Sequence, residues 1–222
     1  MELLLCGGEG PIDEFSDVRI NDNPIENYQG TAYSTRPGLN SQTPIEGFEN
    51  IYDNQFVNFT LEVGTGANGN LNPSIPGEWS VFEVDSDILD YIEITLDFPE
   101  GLAYYSKSSA YPKEHGVTPE FQYSRRNSDG GWGGWIPWFK EHIVEARANP
   151  FSRVRRTPKL LPGKYRVRGR MFSKGGVHPT AERNRTVWTS VTSVLEEPMI
   201  HPGKALLGIR IQATNQISGP IP

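Results

Sequence analysis

Residues 91–98, YIEITLDF, alternate apolar and polar side chains without a break, and the chain repeats this habit. The same period of two runs through 56–63 (FVNFTLEV), 79–84 (WSVFEV), 120–125 (EFQYSR) and 164–171 (KYRVRGRM). Side chains at i and i+2 share one face of a strand, so each tract offers a core one apolar side. Residues 186–194 (TVWTSVTSV) are rich in β-branched side chains, which suit a pleated surface. Turn formers separate the tracts: 23 Gly and 18 Pro, 41 of 222 residues. Such a density of breakers argues for a mainly β protein whose short strands pack as a β-sandwich. Five Trp, nine Tyr and ten Phe supply the buried area that a disordered chain lacks. One helix is expected over 137–149, where Trp138, Phe139, His142, Ile143 and Ala146 fall at helical spacing between Pro137 and Pro150.

Charge is unevenly spread. Residues 1–100 hold 19 Asp/Glu against two Lys/Arg, whereas 140–185 hold 13 Lys/Arg against three Asp/Glu. The two blocks are read as solvated faces or lobes that attract within a protomer, as surfaces that meet between copies, or as a basic part that takes anionic glycan or nucleic acid. No recognised motif interleaves aromatic and basic residues, so a nucleic-acid partner is not expected. No apolar run nears the roughly 20 residues of a membrane span.

The stretch 3–13, LLLCGGEGPID, raises several chemistries. A phosphate loop needs free backbone N–H groups at a helix start; here Glu9 repels phosphate and Pro11 removes a donor. The lead-in to Cys6 is too short, and lacks the basic start, of a secretion or lipidation signal. Residues 3–6 are expected to form a buried strand that turns on glycine and pairs with 206–211. With one Cys there is no internal disulfide and no Cys-rich zinc site. His115, His142, His178 and His201 are scattered; His178 and Glu182 lie four apart, but Pro179 breaks a helix between them. Residues 85–90 (DSDILD) lack the Gly and terminal Glu of a calcium loop and read as a solvated turn. No catalytic residue, cofactor or metal is expected, and the chain does not read as an enzyme.

Two features remain as candidate contact sites. Trp132, Trp135 and Trp138 crowd seven residues. They either fill the core or present faces to an interface or a sugar ring. Arg153, Arg155 and Arg156 form a basic run for a solvated or intersubunit role.

Residues 161–168 (LPGKYRVR) resemble the "LxPgxxYxVrV" strand of a fibronectin type III domain. Residues 91–99 and 121–126 resemble its second and third strands, and Trp188-Thr189-Ser190 its last "W-S". The flanks resemble another family. Residues 4–12 (LLCGGEGPI), 18–25 (VRINDNPI), 36–48 (RPGLNSQTPIEGF) and 201–213 (HPGKALLGIRIQA) are similar, in order, to motifs of the lambda-like phage tail tip attachment proteins, also called host specificity protein J or central tail fibre. The resemblance implies a piece of a longer trimeric protein at the virion tail tip, partnered by itself and other tail-tip proteins. It implies a discontinuous tail-hub β-domain of 1–78 with 198–222. A fibronectin III-like sandwich at 79–197, carrying the short helix, would be inserted in it. The function expected is structural and assembly work in host attachment. The alternative is a carbohydrate-binding module that uses the Trp-rich segment on a host surface glycan.

Overall fold

The computed structural model describes residues 2–48, 50–106, 111–175, 182–197 and 200–211. Sixteen strands follow in order: β1 (Glu2–Glu9), β2 (Arg19–Ile20), β3 (Asn23–Pro24), β4 (Thr31–Arg36), β5 (Asn50–Thr60), β6 (Ser80–Glu83), β7 (Tyr91–Phe98) and β8 (Ala103–Tyr104). Then come β9 (His115–Arg125), β10 (Ile136–Lys140), β11 (Ile143–Glu145), β12 (Phe151–Arg156), β13 (Tyr165–Lys174), β14 (Glu182–Arg183), β15 (Val187–Glu196) and β16 (Lys204–Ile211). They divide between two compact units, residues 1–51 with 196–222 and residues 52–195.

The first unit is a three-stranded sheet, β1-β16-β4. β1 and β16 run antiparallel, with Leu3 opposite Ile209 and Leu5 opposite Leu207, the pairing expected from sequence. The register slips between Cys6 and Gly8, so the glycine pair is a bulge that re-aims the chain into its turn. The turn then passes close to another backbone. A Cβ on Gly10 would lie 2.5 Å from the Gly38 Cα, which only glycine avoids. Leu207, Ile209 and Ile211 pack with Ile25 under Phe15, Val18 and Ile20. The expected buried strand at 3–6 is instead an edge: Leu3 and Leu5 are 38% and 41% exposed, and Cys6 is exposed. A strand at the edge of so small a sheet has one covered flank, too little to bury it.

The second unit is a sandwich. One sheet orders β10-β9-β13-β6, with β11 also on β9; the other orders β12-β7-β15-β5. β7 shows the cause. Ile92, Ile94, Leu96 and Phe98 are fully buried, while Glu93, Thr95 and Asp97 face outward; burying a side chain of that kind contributes roughly 1.5–3 kcal/mol. Between the sheets they meet Phe121, Val167, Met171 and Trp188. Trp188 lies edge-on to Phe121, with ring centroids 5.0 Å apart, and its Nε1–H donates to the Ser190 carbonyl at 3.0 Å. Tyr165 closes one corner: burial pushes its phenol up, and its hydroxyl donates to the Leu161 carbonyl at 2.7 Å.

Two further expectations change. The first domain was to take in 1–78, yet 52–78 falls in the second unit. Leu61 and Val63 enter the sandwich core, and the Leu61 and Gly77 amides donate to Thr186 and Met171. The expected helix at 137–149 is β10 and β11, both antiparallel to β9. A bulge between Pro137 and Phe139 turns Trp138 and Phe139 both inward, and this imitates helical spacing. Pro137 lies on the edge strand β10, where a missing N–H costs little.

Candidate functional site

Along β13 the side chains alternate strictly. Tyr165, Val167 and Met171 enter the core, and Arg166, Arg168, Arg170 and Phe172 stand on the outer face. Neighbouring strands bring aromatic rings to that face. Trp79 precedes β6. Trp132 and Trp135 arrive on the β9–β10 hairpin, whose turn is closed by the Asn127 amide donating to the Gly131 carbonyl at 2.7 Å. Gly130 supplies the φ of +85° that the turn needs. The Ser124 hydroxyl donates to the Gly133 carbonyl at 2.8 Å and ties the hairpin arm down.

Rings and cations then interleave. Arg166 Cζ lies 4.7 Å from the Trp132 ring centre and 4.4 Å from that of Trp135. Arg168 Cζ lies 4.2 Å from both Trp135 and Trp79. Arg170 follows at 4.2 Å from Trp79 and 5.7 Å from Phe172, with the Lys140 ammonium over Phe172 at 2.9 Å. Arg126 extends the other end, 5.9 Å from Trp132. Each such contact is worth about 0.5–1 kcal/mol when exposed and more when desolvated.

Charge on this ladder is poorly compensated. Arg170 donates to the Glu120 carboxylate at 2.8 Å. Arg168 reaches only the neutral Gln122 amide oxygen, and the Arg166 Nε–H is buried without an acceptor. Burial pushes the Arg168 guanidinium below its ordinary value, and Arg170 and Arg166 push the same way.

The residues singled out from sequence do not form one patch. Trp132 and Trp135 are rungs of the ladder. Trp138 leans on the core against Phe121 and Tyr123, and its Nε1–H donates to the Arg156 carbonyl at 3.3 Å. Arg153 and Arg155 stand on β12, in the opposite sheet, and reach across the open edge of the sandwich. Arg155 grips Glu141 with Nε at 2.7 Å and Nη2 at 2.6 Å; Arg153 holds Glu145 at 2.5 Å. The hydrogen bond from Arg155 holds the Glu141 carboxyl below its ordinary range. Arg156 faces outward beside Glu93 at 2.7 Å. Arg153 and Arg155 therefore stitch the two sheets together, while Arg156 pairs within its own sheet. Trp79, Arg166, Arg168 and Arg170 were not singled out, although arginines at i, i+2 and i+4 on one strand face were the readable signal.

The histidines have structural surroundings. His115 is buried edge-on to Tyr104, and His142 shares a 3.0 Å hydrogen bond with Thr118. His178 lies outside the described residues.

No family model matches the chain. Among solved structures it resembles the CBM22-1 xylan-binding domain from Paenibacillus barcinonensis Xyn10C, at 6% identity and a TM-score of 0.32, over 73% of this chain and 94% of that domain. A superposition of that quality bears on neither fold nor ligand.

Proposed function

We propose that the chain is a non-enzymatic structural and assembly module of the tail tip of a phage or prophage with a non-contractile tail. Its partners would be further copies, as a trimer in the whole protein, and other tail-tip proteins. One observation supports this most: of the four segments whose sequences resemble the tail-tip family, three hold one another by hydrogen bonds, and the fourth, 18–25, packs Val18, Ile20 and Ile25 against Leu207, Ile209 and Ile211 of the last. The Gly10 amide donates to the Gly203 carbonyl and the Ile12 amide to that of Pro37. Gln42, buried, accepts from the Gly38 amide and lies within 3.0 Å of the Ile200, His201 and Lys204 carbonyls. Arg36 donates to the Thr43 and Pro44 carbonyls, and Arg210 to that of Glu46. Residues far apart in sequence thus serve one turn cluster, which accounts for Gly, Gln and Arg at those places without any catalytic role.

The carbohydrate reading needs open aromatic faces. Two guanidinium groups lie over each of Trp79 and Trp135, so a sugar would have to displace an arginine to stack there.

The test is location. Antibodies against the purified chain should label the distal end of tails on particles induced from the strain that carries the gene. Label confined to the cell envelope, with none on tails, would overturn the scaffold reading. Titration with host-type oligosaccharides should leave the tryptophan fluorescence unchanged. Saturable quenching that is lost in Trp135→Ala would favour the carbohydrate module.

A further inference from the structure

We propose that the ladder face of one copy docks on the acidic unit of another. The occupant rests on the scaffold reading above; the argument itself is one of charge. By sequence count the unit of 1–51 with 196–222 has 11 acids and four bases, a net of −7, while the sandwich has 16 acids and 17 bases, a net of +1. Within the sandwich, most arginines of β12 are already matched by carboxylates. Among the described residues of the ladder, only Arg170 is. Arg126, Arg166 and Arg168 form no ion pair among the described residues; the nearest acids are Glu83, across from Arg166 in register, Glu120, which acts on Arg168, and Asp129 on the hairpin that carries Arg126.

The acidic unit offers the complement. Asp13, Glu14, Asp22 and Glu26 are exposed on the segment between β1 and β4, and neither Asp13 nor Glu14 has a side-chain partner among the described residues. Burial depresses Arg168 most, and repulsion from Arg170 and Arg166 adds to it; an acid arriving at the ladder would relieve that repulsion, and it would meet donors whose aromatic neighbours already hold them in place. A free polyanion is a poorer occupant. The chain's net charge of −6 repels it at long range, and the tryptophan faces that would stack a base are covered. Joining two different patches on identical copies is a heterologous contact, which closes into a ring where the rotation allows.

The contact has a sign that separates it from ordinary colloidal behaviour. Copies of net charge −6 without complementary patches repel more strongly as salt is removed, because screening weakens. Docking copies attract more strongly instead. Light scattering on the whole chain should give a negative second virial coefficient at about 20 mM salt that rises to zero or above by about 500 mM. Arg166→Gln with Arg168→Gln should abolish the low-salt attraction. Arg153→Gln with Lys159→Gln, which removes the same charge from residues paired with Glu145 and Asp90, should leave it. Asp13→Asn with Glu14→Asn is the sharpest arm. It lowers net charge and so should increase attraction if the effect is non-specific, but it should remove attraction if these acids dock. Circular dichroism checks that each variant is folded, and the Asp13/Glu14 pair, exposed in a loop, decides if the ladder variant is not. Repulsion that grows as salt is removed in the parent chain would overturn the proposal. So would binding of polygalacturonate to the ladder with no self-attraction, which would assign the face to an anionic glycan. Neither result touches the location of the protein on tails, which the antibody experiment decides separately.

Discussion

Arg155 on β12 and Arg168 on β13 belong to opposite sheets of one sandwich, and they meet their charge in different ways. Arg155 spends its guanidinium on a two-pronged grip of Glu141 across the open edge. Arg168 lies between the indoles of Trp135 and Trp79 and has a neutral amide for its hydrogen bonds. The first arrangement neutralises charge locally and joins two sheets. The second holds charge in place without neutralising it and stiffens a single face. A basic stretch in sequence therefore does not mark a basic surface; the strand opposite decides.

The comparison can be broken by mutation, and the largest effect belongs to a ring. Trp135→Ala removes the spacer between Arg166 and Arg168 and leaves two like charges facing a gap. Urea unfolding should show a loss of about 2–3 kcal/mol, with about half recovered in Trp135→Phe. A loss under about 0.5 kcal/mol would mean that the rings only lie on the face. Next comes Arg168→Ala, at about 1–2 kcal/mol, because its stem and stacking are lost while some repulsion is relieved. This penalty should grow as salt is raised, since screening favours the crowded arginine in the parent chain.

Arg155→Ala should cost less, about 0.5–1 kcal/mol, as for a well-aligned pair near the surface. Its penalty should shrink with salt, opposite to that of Arg168→Ala. If both penalties move the same way, the distinction between matched and unmatched arginine fails. Smallest is a pH effect of a few tenths of a kcal/mol. Glu141 is held below its ordinary value of 4.5 in the folded chain. Its contribution is present above that value and disappears as pH falls through the lower folded value. The Arg155→Ala penalty should therefore fade on acidification into that range, whereas the Trp135→Ala penalty should not.

The strands were largely legible in the sequence. A period of two marks β7 and β13 because one face is wet and the other dry, and each residue carries that information by itself. The pairing of 3–6 with 206–211 was legible too. The helix was not. Trp138, Phe139 and Ile143 are all core-facing on β-structure only because a bulge breaks the alternation, and no local pattern separates that from a helical turn. The extent of the first unit was misjudged for a similar reason, since the connector after β5 reads as a boundary until its amides find Thr186 and Met171. The candidate site was half legible. The tryptophans and the arginine runs were visible, but the sequence pointed to the run at 153–156, which is matched by acids, and passed over the one at 166–170.

Composition and alternation thus determined a mainly β chain, its apolar faces and its lopsided charge, because hydrophobic burial is written residue by residue. Only the tertiary structure decided which arginine meets a carboxylate and which meets a ring. Those partners lie up to 91 positions apart, as Trp79 and Arg170 do, and are joined by strand register, which no local segment encodes.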